Sequence, residues 1–141
     1  MPCARRPDRR IIAADPAAVR GLLQRLETGP ELARLSDEDR DCTLLVLAEA
    51  MNNVVEHGYA GGPGWIGLVP GRGPPGRAWR IFDGAGGALP CGRGRGMPVG
   101  AAEGGFGWPL ILALTEEVRV RRTRGLNVLS LRMRPGGGAG P

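Results

Sequence analysis

The sequence predicts an α+β domain with two layers, in which a mixed, mostly antiparallel β-sheet is covered on one face by helices. Apolar residues recur at helical spacing in three segments and at every second position in four others. These segments follow each other as two helices, two strands, a long loop, a helix and two strands, an order that favours pairing of consecutive strands. With 141 residues, the chain can bury one hydrophobic core. We expect the domain to span residues 15–134, between a flexible arm at 1–14 and a flexible tail at 135–141.

Capping signals define the two helices in the first part of the chain. The first begins after Asp15, the predicted N-cap, has a proline at its first position, and ends before Gly29. The second begins after Ser36, whose hydroxyl is expected to cap it while Asp39 reaches back to complete a capping box. It extends to residue 56 or 57, before Gly58.

The remaining elements follow from alternating apolar residues and from turn residues. A third helix begins at Trp108, and Arg124 and Gly125 form the turn of a hairpin. The four predicted strands span residues 65–69, 78–82, 117–122 and 127–134.

The composition excludes several kinds of chemistry. All nineteen basic residues are arginine, so neither a lysine-containing phosphate loop nor Schiff-base catalysis is available. One histidine and three cysteines without Cys-x-x-Cys spacing do not form a typical zinc site, and the odd number of scattered cysteines favours a reducing compartment. No segment has the roughly 20 apolar residues of a membrane span. We therefore expect a cytoplasmic protein with no membrane partner.

The net charge of +5 is compatible with nucleic-acid binding. Only 4% of the residues are aromatic, however, and none lies in the arginine clusters at residues 5–10 and 119–124. Because these clusters offer no aromatic ring on which a base can stack, we expect no direct contact with nucleic acid.

The second helix carries a polar stripe in its rear half. At 100° per residue, the apolar side chains of this half fall on the opposite side of the helix. The stripe consists of Glu49, Asn52, Asn53 and Glu56. Two carboxylates and two amides on one face of an otherwise apolar helix indicate a candidate site, and an ordinary solvated helix face is the alternative.

A glycine-rich segment connects the second predicted strand to the third helix. Residues 84–107 contain ten glycines, and the segment far exceeds the usual loop length of about 4 to 6 residues. Such loops are typically lids or binding segments. This one starts directly after Asp83 and ends before a helix N-terminus, where closely spaced backbone N–H groups can bind an anion.

Three segments together resemble the sequence boxes of the GHKL (Bergerat-fold) ATPases. Residues 47–59 (LAEAMNNVVEHGY) resemble the N box, particularly its form in the anti-sigma factor serine kinases of bacterial partner-switching systems. Residues 81–90 (IFDGAGGALP) resemble the Asp-x-Gly-x-Gly box, and residues 103–111 (EGGFGWPLI) resemble the second glycine box. The resemblance covers about residues 15–134 and implies a Bergerat-type fold with a glycine-rich ATP lid.

The resemblance also implies a site for ATP and Mg²⁺. Asn53 would hold Mg²⁺, and Glu49, one helical turn earlier, would be the catalytic general base. Asp83 would accept a hydrogen bond from the adenine amino group, and Asn127 would lie near the adenine. The other nucleotide-binding positions implied lie in the two glycine boxes: Gly87, Gly105, Phe106 and Gly107.

The implied function is that of an anti-sigma factor that is also a Mg·ATP-dependent protein serine kinase. It would sequester a sigma factor of RNA polymerase and phosphorylate a STAS-domain anti-sigma factor antagonist, and it could form a homodimer. Ala85 and Trp108 depart from the boxes of the family, which leaves open a non-catalytic anti-sigma or adaptor module with a degenerate or structural nucleotide site. A simple ATP hydrolase, in which Glu49 activates water, is the other alternative.

Overall fold

Five strands form a single antiparallel sheet. A computed structural model describes residues 10–86 and 107–136 of the chain. The strands are β1 (Arg10–Ala13), β2 (Trp65–Pro70), β3 (Ala78–Asp83), β4 (Thr115–Thr123) and β5 (Leu126–Met133). They lie in the order β1-β2-β3-β5-β4, and each neighbouring pair is antiparallel. Arg124 and Gly125 join β4 to β5 with φ of 50° and 78°, as a two-residue hairpin turn requires.

Three α-helices cover one face of this sheet within the described ranges. They are α1 (Pro16–Glu27), α2 (Asp37–Asn53) and α3 (Trp108–Leu114). The Asp15 carboxylate caps α1 by accepting a hydrogen bond of 2.8 Å from the N–H of Ala18. The Ser36 hydroxyl caps α2 by accepting one of 3.1 Å from the N–H of Asp39. The Asp39 carboxylate forms an ion pair of 3.0 Å with Arg77, so it joins α2 to the start of β3 in place of the expected capping box.

The hydrophobic core lies between the sheet and the helices. Alternate residues of the central strands point toward the helices and are buried: Ile66, Leu68, Trp79, Ile81, Leu129 and Leu131. The helix α2 meets them with Val46, Leu47, Ala50 and Met51, all buried. Each such large apolar side chain contributes about 1.5–3 kcal/mol by leaving water. This packing fixes α2, and with it the polar stripe, against the sheet.

The helix α2 continues into a π-helical turn, Val54–Gly58. In this turn the N–H of Tyr59 bonds the carbonyl oxygen of Val54, five residues earlier, at 2.9 Å. The helix predicted to end at residue 56 or 57 therefore changes its period after Asn53. Turns of this kind inside helices often mark functional sites.

The observed architecture confirms the predicted fold class, and it corrects the expected flexible arm. Residues 10–13 of that arm form strand β1, which pairs with β2, and the Arg10 guanidinium forms an ion pair of 2.5 Å with Glu31. Residues 1–9 and 137–141, the outer parts of the expected arm and tail, lie outside the described residues. None of the helices in the described ranges has the length and apolar character needed to cross a membrane.

Candidate functional site

Three of the predicted site residues are buried polar side chains. The described part of the chain buries five polar residues. The hydroxyls of Thr43 and Thr115 donate to backbone carbonyls one helical turn earlier, an ordinary local arrangement. The other three are Asn53, Asp83 and Asn127, which are 6%, 2% and 2% exposed. Asp83 and Asn127 are hydrogen-bonded to each other, so these buried positions belong to the fold as well as to the candidate site.

Asp83, Asn127 and Arg122 form a row across three neighbouring strands. The strand register pairs Asp83 of β3 with Asn127 of β5, and Asn127 with Arg122 of β4. The Nδ2 of Asn127 donates to Oδ1 of Asp83 at 2.8 Å, and the Oδ1 of Asn127 accepts from Nη1 of Arg122 at 3.1 Å. These two bonds make a continuous chain from the guanidinium to the carboxylate.

The same row holds the turn that follows β3. The N–H of Ala85 donates to Oδ1 of Asp83 at 3.0 Å. The carbonyl oxygen of Ala85 accepts from Nδ2 of Asn127 at 3.2 Å and from Nη1 of Arg122 at 3.4 Å. The first residues of the Asp-x-Gly-x-Gly box are therefore fixed by side chains from β4 and β5.

The Tyr59 hydroxyl holds this turn from the other side. It accepts a hydrogen bond of 2.9 Å from the N–H of Gly84 and donates one of 2.8 Å to the carbonyl oxygen of Trp65. The tyrosine ring packs on Gly64, where an added Cβ would overlap ring atoms. Tyr59 thus joins the end of the π-helical turn to the ends of β2 and β3.

Glu49 of α2 lies against the glycine that precedes α3. Gly107 has a φ of 73°, and a Cβ added there would overlap the Glu49 carboxylate. Glu49 is half-buried, and Asn53, four residues later on the same helix face, is buried. Glu56 at the end of the polar stripe is exposed. The alternative interpretation, an ordinary solvated helix face, therefore holds for Glu56 but not for Asn53.

The two departures from the family boxes are accommodated in the fold. Among the described residues other than glycine, only Ala60 and Arg124 have a positive φ, so Ala85 keeps a backbone conformation open to any residue. Its methyl group is buried near Gly58, where an added Cβ would lie 3.4 Å away. Trp108 is 2% exposed and packs in the core.

The donor set fits a magnesium ion that arrives with a nucleotide. No group of three or more histidine, cysteine, aspartate or glutamate side chains within residues 10–86 and 107–136 could hold a metal. Mg²⁺ in nucleotide sites is held mostly by phosphate oxygens and water, with one or two oxygens from the protein. The side-chain amide of Asn53 can supply one such oxygen.

The predicted site residues fall into three groups. The structure brings Asp83 and Asn127 together by a hydrogen bond and Glu49 and Gly107 together by contact. Asn53 lies one turn from Glu49. Three predicted nucleotide-binding residues lie outside the described residues: Gly87, Gly105 and Phe106.

Sequence reasoning missed Arg122 and gave no role to Tyr59. Arg122 did carry a signal, because the alternation that places the half-buried Val118 and the buried Val120 on the inner side of β4 also directs Arg122 to that side. The arginine is exposed near the end of the strand and reaches the buried Asn127 from there. The Tyr59 contacts join three distant segments and have no local signature.

The model of the histidine kinase-like ATPase domain family matches residues 12–133. The chain therefore belongs to the histidine kinase-like ATPase domain family. It is accordingly an ATP-binding, kinase-like regulatory domain, and the matched range includes α2, the turn after β3 and the β4–β5 hairpin. Comparison with curated proteins gives no match.

Proposed function

We propose that this domain is an anti-sigma factor and a Mg·ATP-dependent protein serine kinase, which sequesters a sigma factor of RNA polymerase and phosphorylates a serine of a STAS-domain antagonist. The contact between the Glu49 carboxylate and Gly107 carries the proposal. It sets a carboxylate beside the end of the second glycine box, the segment to which the resemblance assigns phosphate binding. The His-Gly-Tyr ending of residues 47–59 supports the serine-kinase branch.

Glu49 supplies the proton acceptor of the reaction. The serine hydroxyl attacks the γ-phosphorus of ATP, its proton passes to the Glu49 carboxylate, and the bond to ADP breaks. Glu49 is suited to this role because it is half-buried on a helix that is packed against the sheet. Asn53 offers its amide oxygen to Mg²⁺, which when bound offsets the negative charge of the phosphates.

Asp83 supplies the acceptor for the adenine amino group. Its Oδ1 is engaged by the N–H of Ala85 and the Nδ2 of Asn127. Its Oδ2 accepts no hydrogen bond within the described residues and is not among their buried unpaired atoms, so it can receive a ligand donor. The resemblance assigns phosphate contacts to Gly105, Phe106 and Gly107, and of these Gly107 lies within the described residues.

Phosphotransfer from γ-labelled ATP to a STAS-domain antagonist tests the proposal. The acceptor is compared with a variant in which its serine is alanine, and Glu49→Gln is compared with Glu56→Gln. The control removes an equal charge from the same stripe at an exposed position. We expect label on the acceptor serine with wild type and Glu56→Gln, and at least a hundredfold loss with Glu49→Gln.

Two other outcomes contradict the kinase assignment. Stable binding of a sigma factor without transfer of label to the antagonist would indicate the non-catalytic anti-sigma or adaptor module. Release of phosphate at a rate that is unchanged by the acceptor would indicate an ATP hydrolase.

A further inference from the structure

We propose that Arg122 is a positioning residue that sets the preference of the nucleotide site for adenine over 6-oxopurines. Arg122 lies near the end of β4, outside the three sequence boxes, and acts on the base only through Asn127 and Asp83. The inference rests on the nucleotide-binding part of the proposed function and is independent of phosphotransfer.

Arg122 completes the hydrogen bonds along the row. A guanidinium group only donates, whereas the asparagine amide has a donor end and an acceptor end. Nη1 of Arg122 donates to the Asn127 amide oxygen at 3.1 Å. The NH₂ group of the same amide donates to Oδ1 of Asp83 at 2.8 Å and to the carbonyl oxygen of Ala85 at 3.2 Å, so every polar atom of the amide has a partner. The carboxylate thus receives a donor from the protein and offers an acceptor to the ligand.

A second contact fixes the position of the same carboxylate. Nη1 of Arg122 also lies 3.4 Å from the carbonyl oxygen of Ala85, whose own N–H bonds Oδ1 of Asp83. Arg122 therefore influences the orientation of the group that is proposed to read the base.

This arrangement distinguishes purines by their 6-substituent. Adenine presents an amino donor at this position, which pairs with an ionised carboxylate, whereas hypoxanthine presents an oxo acceptor, which the carboxylate repels. Without Arg122, the Asn127 amide oxygen and the Ala85 carbonyl lose their shared donor, and the turn that carries Asp83 is held less firmly. The Asp83 carboxylate can then turn away from the base, which weakens its contact with an amino group and lessens the penalty on an oxo group.

The test measures dissociation constants for Mg·ATP and Mg·ITP by calorimetry on wild type, Arg122→Gln, Arg122→Lys and Arg121→Gln. Glutamine is neutral and can either donate or accept, whereas lysine keeps a charged donor at the end of the row. Arg121→Gln removes the same charge from the neighbouring position, which is exposed on the other side of β4. Thermal unfolding of each variant without nucleotide records its folding.

We expect wild type, Arg122→Lys and Arg121→Gln to share one preference for ATP over ITP, and Arg122→Gln to reduce it about fivefold to tenfold. The inference is overturned if Arg122→Gln keeps the wild-type preference, if Arg122→Lys loses as much as Arg122→Gln, or if the wild type does not discriminate. Intact discrimination without phosphotransfer would contradict the proposed kinase activity alone.

Discussion

Asn127 donates a hydrogen bond of 2.8 Å to Asp83 across the pairing of β5 with β3. The two residues are 44 positions apart in the chain, and both are almost fully buried. Strand β3 is the central strand of the sheet, so this bond joins the centre of the sheet to the hairpin that closes it. The two residues proposed to lie at the base are consequently held together by a hydrogen bond of the fold itself.

Replacement of Asn127 by alanine should cost about 1–3 kcal/mol of folding free energy, because Asp83 and the Ala85 carbonyl each lose a buried donor. Urea unfolding measures this change in folding free energy. Ser130→Ala on the same strand is the matched control, since Ser130 faces the other side of the sheet and should change stability by less than about 0.5 kcal/mol. Equal losses of folding free energy in the two variants would contradict a stabilising role for the row formed by Asp83, Asn127 and Arg122.

Loss of the Tyr59 hydroxyl should lower both the stability of the fold and the affinity for nucleotide. Tyr59→Phe removes the hydrogen bonds to Gly84 and Trp65. We expect this variant to lose about 1–2 kcal/mol of folding free energy and to bind Mg·ATP more weakly. Gly64→Ala should have a similar or larger effect, because its methyl group would overlap the tyrosine ring. Gly21→Ala, a control inside α1 with room for a Cβ, should stabilise the protein by roughly 0.5–1 kcal/mol. Unaltered nucleotide affinity in Tyr59→Phe would show that the hydroxyl only supports the fold.

Two glycines share the same backbone conformation, but only one of them lies against Glu49. Alanine substitutions at the two positions therefore distinguish the effect of backbone strain from the effect of contact with Glu49. Gly107 and Gly125 have φ of 73° and 78°, so alanine at either position should cost about 1 kcal/mol. Only at Gly107 does the new Cβ meet the Glu49 carboxylate, and nothing lies within 4 Å at Gly125. We expect Gly107→Ala to reduce phosphotransfer at least tenfold and Gly125→Ala to leave it within about twofold. Comparable losses in both variants would assign the effect to strain.

Cys42 should be a slow nucleophile. Burial raises the pKa of the Cys42 thiol above its ordinary value, and nearby carboxylates, among them Asp41, raise it further. A raised pKa leaves less thiolate at any pH below it, so alkylation by iodoacetamide should be slower than that of a cysteine in an unfolded peptide. With Cys3 and Cys91 replaced by serine, the pH midpoint of the reaction should lie above the peptide value. A midpoint at or below that value would contradict this environment.

Local patterns were sufficient to predict most of the elements. The caps at Asp15 and Ser36, the period-two strands and the turn at Arg124 all depend on residues within a few positions of each other, and the structure confirms them. Strand β1 was missed because its four residues carry little signal of their own. It forms through pairing with β2 and through the Arg10–Glu31 ion pair, and both are long-range.

The site was predictable to a similar extent. Glu49, Asn53 and Asp83 stand in recognisable boxes, so their positions followed from the sequence. The contacts of Tyr59 and Arg122 depend on strand register and on the π-helical turn. A period of 3.6 residues cannot predict that turn, because the change from i→i+4 to i→i+5 bonding is stabilised by tertiary packing.

The most direct test of the nucleotide site is thermal unfolding with and without Mg·ATP, on wild type, Asn53→Ala and the matched control Asn52→Ala. Nucleotide at 100 times its dissociation constant should stabilise wild type by about 2.7 kcal/mol, a shift of several degrees. We expect the magnesium-dependent part of this shift to disappear in Asn53→Ala and to persist in Asn52→Ala, whose amide is only half-buried. Absence of a shift in the wild type, or an undiminished shift in Asn53→Ala, would contradict the account of the site given above.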